Sequence, residues 1–237
     1  MEGTGRVGLL ADVAAVHAAG GVASAVVTAL TAQGSRFHLA AVPSRLLVAQ
    51  LDAALAQGRP GAVKLGMVPD ARGLAVLWPR LVRLGVSVVV DPVVQTSKGE
   101  RLSRLRPADY RRMAQQTVWM TPNVPELAWL LGRRALPSSV DGVIELASAL
   151  LGDGFAAVVV KGGHLPGPPV DVLVSRARVL RFVGTRLLRS PLKRGTGCRF
   201  ASTLATSLAL GKDPAQAVRD ARRAVRRYLL EPSRLPL

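Results

Sequence analysis

The sequence places two glycines and a cysteine where a phosphoryl group could be held. Residues 194–198 read RGTGC and lead directly into a stretch of small residues with helical periodicity. Glycines let the backbone turn tightly against a ligand, and a helix N-terminus offers free N–H groups and a positive dipole end. The segment predicts an anion hole with a thiol of lowered pKa, although a glycine turn before a buried structural cysteine would read the same way. The candidates are Gly195, Thr196, Gly197 and Cys198.

Polar side chains follow three short valine-rich runs of the sequence. A lysine and two glycines follow residues 158–160, an Asp-Pro pair follows residues 86–90, and an N-x-x-E motif follows residues 118–120. A lysine ammonium can bind nucleotide phosphates, and carboxylates can order Mg²⁺ or its waters. A snorkelling lysine, a turn-forming aspartate and a helix capping box are the structural alternatives. The candidates are Lys161, Gly163, Asp91, Asn123 and Glu126.

The hydrophobic pattern predicts the elements that position these residues. Valine-rich runs separated by amphipathic stretches predict a parallel sheet with helices on both faces, a doubly wound α/β fold, in one domain over residues 1–237. The predicted strands are residues 22–28, 62–65, 86–90, 118–120 and 156–160, with a hairpin or edge pair at 170–174 and 179–183. The predicted helices are residues 9–19, 44–56, 71–84, 107–115, 124–131, 140–151, 197–210 and 214–230. In such a sheet ligands bind outside the carboxyl ends of the strands.

The amino-acid composition favours a globular protein and excludes several other classes of protein. Apolar residues make up 49% of the 237 residues and charged residues 20%, which is typical of a globular chain. One cysteine excludes an intramolecular disulfide, and no apolar stretch is long enough to predict a membrane span. The net charge of +17 is compatible with a nucleic-acid partner, but no stacking aromatics accompany the arginine clusters. We expect a soluble cytoplasmic protein that binds neither nucleic acid nor membrane.

Seven short motifs, in order along the chain, resemble one enzyme family. Four are those described above, which read DPV, NxxE, KGGH and GTGC. Upstream, residues 8–12 (GLLAD), 28–33 (TALTAQ) and 64–67 (KLGM) are similar to the family's GIQAD, TALTAQ and KIGM. The chain resembles the ribokinase-like superfamily, and within it the hydroxymethylpyrimidine/phosphomethylpyrimidine kinases of thiamin biosynthesis. The resemblance implies a ribokinase-like fold with a mostly parallel sheet.

The resemblance also implies an activity and a role for each candidate. The family transfers the γ-phosphate of ATP, with Mg²⁺, to the hydroxymethyl group of the pyrimidine and then to the monophosphate. On the substrate side, Gln33 would pair with the exocyclic amine and ring nitrogen, Asp12 would help to hold the substrate, and Met67 would supply an apolar wall. Cys198 would take the alcohol proton or line the anion hole formed by the glycine turn. The family is compatible with a homodimer.

The same family motifs assign the nucleotide side of the site. Lys161 would contact the ATP phosphates, Gly163 and Asn123 would belong to the ATP site, and Asp91 and Glu126 would position Mg²⁺ and its waters. A pyridoxal or vitamin B6 kinase of the same fold, and a non-catalytic pyrimidine-binding relative, are the alternatives.

Three departures from the family pattern affect these expectations. Arg194 replaces the family's histidine, and Arg199 replaces its threonine or serine, which places two extra cations beside the expected anion hole. The sequence does not determine whether these cations tighten phosphate binding or slow product release. Residues 1–6 resemble the tail of the family's opening glycine-rich turn, without the strand before it. We therefore expect a domain that begins upstream of Met1, with a start codon placed too late. The chain as it stands should be marginally stable, poorly soluble, or closed by another segment that takes the place of the missing strand.

Overall fold

The computed structural model describes residues 7–33, 35–96, 99–187 and 193–231. Its strands are β1 (Ala29–Gln33), β2 (Phe37–Ala41), β3 (Ala62–Leu65), β4 (Ser87–Val90), β5 (Val118–Met120), β6 (Ala157–Val160), β7 (Val170–Ser175) and β8 (Val179–Val183). Its helices are α1 (Gly8–Ala18), α2 (Ser44–Ala56), α3 (Ala71–Arg83), α4 (Pro107–Arg111), α5 (Val124–Leu130), α6 (Val140–Leu151), α7 (Thr196–Ala209) and α8 (Pro214–Leu230). Among these residues, no helix is long and apolar enough to cross a membrane.

Six strands form the central sheet in the order β3-β4-β5-β6-β7-β8. The pairs β3–β4, β4–β5 and β5–β6 are parallel, because a helix returns the chain to the same end of the sheet between them. The last two pairs, β6–β7 and β7–β8, are antiparallel. The mostly parallel sheet and the hairpin at residues 170–183 are thus confirmed as predicted.

Consecutive valines of the central strands pack on opposite faces of the sheet. In β4, Val88 and Val90 belong to the larger core beneath α2, α3, α5 and α6, whereas Val89 packs in the second core beneath α7 and α8. β6 repeats this alternation with Val158 and Val160 against Val159. All of these valines are fully buried. Because both faces are covered, the strands read as continuous apolar runs, and the doubly wound architecture is confirmed.

One predicted strand is wrong. The segment at residues 22–28 carries no strand assignment, and Val22 is 95% exposed. A β-branched run becomes a strand only when a neighbour pairs with its backbone. Here the backbone N–H and C=O of Val27 bond instead to the side-chain amide of Gln50, at 3.0 and 3.2 Å.

Strand pairing begins immediately after residues 22–28. β1 and β2 form a two-stranded antiparallel hairpin apart from the central sheet, in register from Ala29–Ala41 to Gln33–Phe37. The hairpin brings Gln33 to its tip, and neither of its two strands was predicted. Residues 1–6, which prompted the expectation of an upstream strand, lie outside the described part of the chain, and the single-domain assignment remains a prediction.

Candidate active site

Two of the candidate site residues form an ion pair at the carboxyl edge of the sheet. Asp91 follows β4 and Lys161 follows β6, and Lys161 Nζ donates a hydrogen bond to Asp91 Oδ1 at 2.9 Å. The Asp91 side chain is 2% exposed and that of Lys161 17%. Burial alone would lower the pKa of Lys161, but the nearby carboxylates, chiefly Asp91, outweigh burial and raise the pKa. The lysine is therefore a fixed cation at the sheet edge.

A second carboxylate stands beside this pair. Glu126 Oε2 lies 3.8 Å from Lys161 Nζ. The same oxygen accepts from the backbone N–H of Asn123 at 2.7 Å, and Asn123 Oδ1 accepts from the N–H of Glu126 at 2.8 Å. The capping-box alternative is therefore observed, and it fixes Glu126 beside the lysine. Burial raises the pKa of Glu126, which the charge of Lys161 partly opposes.

The glycine turn before α7 adjoins the same ion pair. Gly195 caps the helix with φ of +84°, a left-handed conformation that favours glycine. A Cβ placed on Gly197 would lie 3.3 Å from Lys161 Nζ and 3.6 Å from Asp91 Oδ2. The glycines thus leave room between the first turn of α7 and the lysine. The backbone N–H groups at the start of α7 and the ammonium of Lys161 border a shared space that suits an anion.

Cys198 faces the start of a second helix. Cys198 lies in the first turn of α7, and the backbone N–H of Gly8, the first residue of α1, favours its thiolate form. The lowered pKa expected from the sequence is nevertheless wrong. Burial raises the pKa of Cys198 and outweighs the opposing effect of Lys64 and of the Gly8 N–H, while the carboxylates of Asp12 and Asp91 raise it further.

Asp12 belongs to a second ion pair that the sequence did not reveal. Lys64 Nζ lies 2.9 Å from both Asp12 oxygens, and the hydroxyl of Ser202 donates to Asp12 Oδ1 at 2.8 Å. Burial opposes the charge of Lys64, but Asp12 outweighs it and the pKa of the lysine is raised. A lysine inside the apolar strand β3 was the signal available in the sequence. The sequence motifs included Lys64, in KLGM, but gave it no role, and they did not include Ser202.

The substrate-side candidates lie on the hairpin and on the loop after β3. Gln33 is the last residue of β1, and its Oε1 accepts a hydrogen bond from the guanidinium of Arg194. The carbonyl of Met67 accepts from the hydroxyl of Thr28 at 2.7 Å, which ties this loop to the base of the hairpin. The guanidinium of Arg199 lies 3.7 Å above the ring of Tyr228. The two extra arginines are thus engaged by Gln33 and by α8.

The glycines after β6 have distinct roles. The N–H of Gly162 donates to Asp171 Oδ1 at 2.8 Å, and Asp171 pairs with Arg222 at 2.8 Å. A Cβ on Gly162 would lie 1.8 Å from the carbonyl oxygen of Val170, so no other residue fits. For Gly163, no atom of the described residues lies within 4 Å of such a Cβ, which would point into open space.

One cleft of about 2350 Å³ collects every candidate proposed from the sequence. Its lining includes the residues that the sequence assigned to the nucleotide, which are Asp91, Asn123, Glu126, Lys161 and Gly163. It also includes those assigned to the substrate, Asp12, Gln33 and Met67, and the turn residues Gly195, Thr196, Gly197 and Cys198. Cations, helix N-termini and carboxylates around one cavity are the elements that phosphoryl transfer requires.

Comparison with known proteins identifies the same chemistry. The family model for phosphomethylpyrimidine kinase matches residues 3–235. A hydroxymethylpyrimidine/phosphomethylpyrimidine kinase from Rhizobium meliloti is 34% identical over 227 residues, which cover 90% of this chain and 82% of that protein. The crystal structure of a phosphomethylpyrimidine kinase from Clostridium difficile 630 matches with a TM-score of 0.79 at 26% identity, covering 97% of this chain and 96% of that one.

A more distant structure shares the fold. A pyridoxal kinase from Staphylococcus aureus, in complex with AMP-PCP and pyridoxal, matches with a TM-score of 0.84 over 95% of this chain and 83% of that one. At 22% identity this match establishes the ribokinase-like fold alone. The family model and the relative from Rhizobium meliloti identify the family as well as the fold. The chain belongs to the phosphomethylpyrimidine kinase family.

Proposed function

We propose that this chain transfers the γ-phosphate of ATP to 4-amino-5-hydroxymethyl-2-methylpyrimidine, and then a second phosphate to the resulting monophosphate. The observation that carries the proposal is the meeting of the glycine turn before α7 with the Lys161–Asp91 pair. This meeting gives one space an ammonium and a row of backbone N–H groups. Family membership supplies the substrate class.

The nucleotide side of the cleft follows from the charges around Lys161. The ammonium is positioned to bind ATP phosphates, next to the open space at Gly163. The backbone of residues 195–197 would stabilise the charge that spreads over the transferring phosphoryl oxygens. These groups act by position and charge, with no covalent step on the protein.

The two carboxylates beside Lys161 match the protein ligands by which kinases commonly hold Mg²⁺. Among the described residues no group of three or more histidine, cysteine or acidic side chains could enclose a metal. Mg²⁺ commonly takes one or two carboxylates together with substrate phosphates and waters. Asp91 and Glu126, both beside Lys161, provide that number of carboxylates. When bound with ATP, Mg²⁺ would neutralise charge on the phosphates.

The raised pKa of Cys198 favours one of the two roles that sequence left open. A thiol that stays protonated at neutral pH is a weak base but a hydrogen-bond donor. We assign Cys198 to the lining of the anion hole, where its S–H would donate to the reacting oxygens beside the first turn of α7. Asp12 is held by Lys64 and Ser202 and would anchor the substrate side, with Gln33 and Met67 at the ring.

A pyridoxal kinase is the second candidate, because pyridoxal is also a flat nitrogen heterocycle that bears a hydroxymethyl group. The similarity to the Staphylococcus aureus enzyme favours it through the fold alone, whereas the 34% identical relative favours the pyrimidine. A cytoplasmic location and a homodimer remain proposals that rest on the single cysteine and on the family resemblance, respectively.

A coupled ADP-release assay over pyrimidine and pyridine alcohols tests the proposal. We expect ADP release to depend on hydroxymethylpyrimidine, with kcat/KM at least tenfold above that for pyridoxal. Leaving a buried donor–acceptor pair unmatched costs about 1–3 kcal/mol, and 1.4 kcal/mol corresponds to that factor. A higher kcat/KM for pyridoxal would reassign the chain to the second candidate. No stimulation by any alcohol would contradict the kinase function.

A further inference from the structure

Arg194 reaches from the glycine turn before α7 to the tip of the β1–β2 hairpin. Its guanidinium donates a hydrogen bond to Oε1 of Gln33, across 161 positions of sequence. On the other side of the carboxamide, Nε2 of Gln33 lies 3.4 Å from the hydroxyl of Thr31. A guanidinium only donates hydrogen bonds, so the atom that it contacts must be the carboxamide oxygen. The contact therefore determines which way the amide of Gln33 faces.

The backbone of Arg194 is itself anchored to α8. The hydroxyl of Tyr228 donates to the carbonyl of Arg194 at 2.9 Å, and Lys193 Nζ donates to the carbonyl of Tyr228 at 2.6 Å. The guanidinium of Arg199 stacks 3.7 Å from the centre of the Tyr228 ring, with Lys193 Nζ 5.0 Å from it. This cluster fixes the point from which the Arg194 side chain extends.

We propose that Arg194 is a positioning residue for substrate recognition, which orients the carboxamide of Gln33 and joins the hairpin to the anion-hole turn. The inference rests on the proposed function for the role of Gln33. The terminal torsion of a glutamine is broad and twofold, so an unrestrained amide samples both orientations. With Arg194 on one lone pair of Oε1, the amide keeps a second lone pair and an N–H for the amine and ring nitrogen of the substrate.

Steady-state kinetics on four variants test this role. We expect Arg194→Ala to raise KM for the pyrimidine alcohol about tenfold, with kcat and the KM for ATP within about twofold, because a hydrogen bond from a charged donor is lost. Arg194→Lys should recover most of the loss, whereas Arg194→Met should not. The matched control is Arg36→Ala, which removes an exposed arginine from the turn of the same hairpin and should leave KM unchanged.

A double variant isolates the path through Gln33. If Arg194 acts by orienting that amide, Arg194→Ala should change KM by less than about twofold in the Gln33→Leu background. A tenfold effect that persists in full in this background would overturn the proposal, because Arg194 would then act without Gln33.

Amide hydrogen exchange separates this inference from the proposed function, because it needs no substrate. We expect Arg194→Ala, but not Arg36→Ala, to speed exchange of the β1 amides at least about tenfold, as the hairpin loses its tie to α7. A wild-type chain that phosphorylates no pyrimidine would refute the proposed function and leave this measurement intact. Equal β1 exchange in the wild-type and Arg194→Ala chains would refute the joining role of Arg194.

Discussion

Replacing Lys161 by methionine should destabilise the chain through the carboxylate that it leaves behind. The Asp91 side chain is 2% exposed and has Lys161 Nζ at 2.9 Å. Removing one partner of a buried pair costs about 3–5 kcal/mol, and the 17% exposure of Lys161 places the expected loss near the lower end. Typical domains have roughly 5–15 kcal/mol in total, so the variant should still fold in dilute buffer.

Urea unfolding followed by far-UV circular dichroism measures this loss. With an m-value of about 2 kcal/mol/M, a loss of about 3 kcal/mol shifts the midpoint by roughly 1.5 M. The Arg181–Asp141 pair, whose side chains are 54% and 81% exposed, provides the matched control, and Arg181→Met should cost at most about 1 kcal/mol.

A second variant distinguishes two causes of the lost stability, which are the charge left on Asp91 and the lost packing of the Lys161 side chain. In Lys161→Met/Asp91→Asn the buried charge of Asp91 is gone, so at least half of the lost stability should return, while turnover stays about 10²–10³-fold low because both the ammonium and a carboxylate assigned to Mg²⁺ are missing. The reasoning fails if Lys161→Met shifts the midpoint no further than Arg181→Met, or if the added Asp91→Asn change deepens the loss.

Three further predictions concern the glycine turns and the thiol. Cys198→Ala should lower kcat about 10²–10³-fold with the KM for ATP little changed; a near wild-type kcat would make Cys198 a packing residue. Because the pKa of Cys198 is raised, its alkylation by iodoacetamide should rise with pH only above the value of a free thiol, about 8.5, and a midpoint below that value would contradict the assignment. Gly162→Ala should cost about 3 kcal/mol or more in urea unfolding, since its Cβ would meet the Val170 carbonyl at 1.8 Å, whereas Gly163→Ala should cost little; equal losses would contradict this.

The parts of the fold that follow local rules could be predicted from the sequence. Valines at consecutive positions of β4 and β6 indicated strands buried on both faces, and the structure divides them between two cores. Asp91 and Lys161 were expected at the same edge of the sheet because parallel strands end at one edge, and the structure pairs them there. The helix predicted over residues 214–230 is observed with those bounds, and the side chain of Asp213 caps the N–H groups of Ala215 and Gln216.

The parts that depend on distant partners could not be predicted. The Lys64–Asp12 pair joins residues 52 positions apart, and the contact of Arg194 with Gln33 spans 161. The run at residues 22–28 has strand propensity but finds the amide of Gln50 in place of a strand neighbour. For Cys198, sequence reveals the helix N-terminus but not the burial that opposes it, so the direction of its pKa shift was wrong.

The most direct test of the central claim is the phosphorus NMR spectrum of the products. The wild-type chain with ATP, Mg²⁺ and hydroxymethylpyrimidine should give an organic monophosphate first and a diphosphate later, with one ADP formed for each phosphate transferred. Lys161→Met/Asp91→Asn should give neither product at a comparable rate. A spectrum that shows only ADP and inorganic phosphate would contradict the claim, because the cleft would then hydrolyse ATP without transferring phosphate to the pyrimidine.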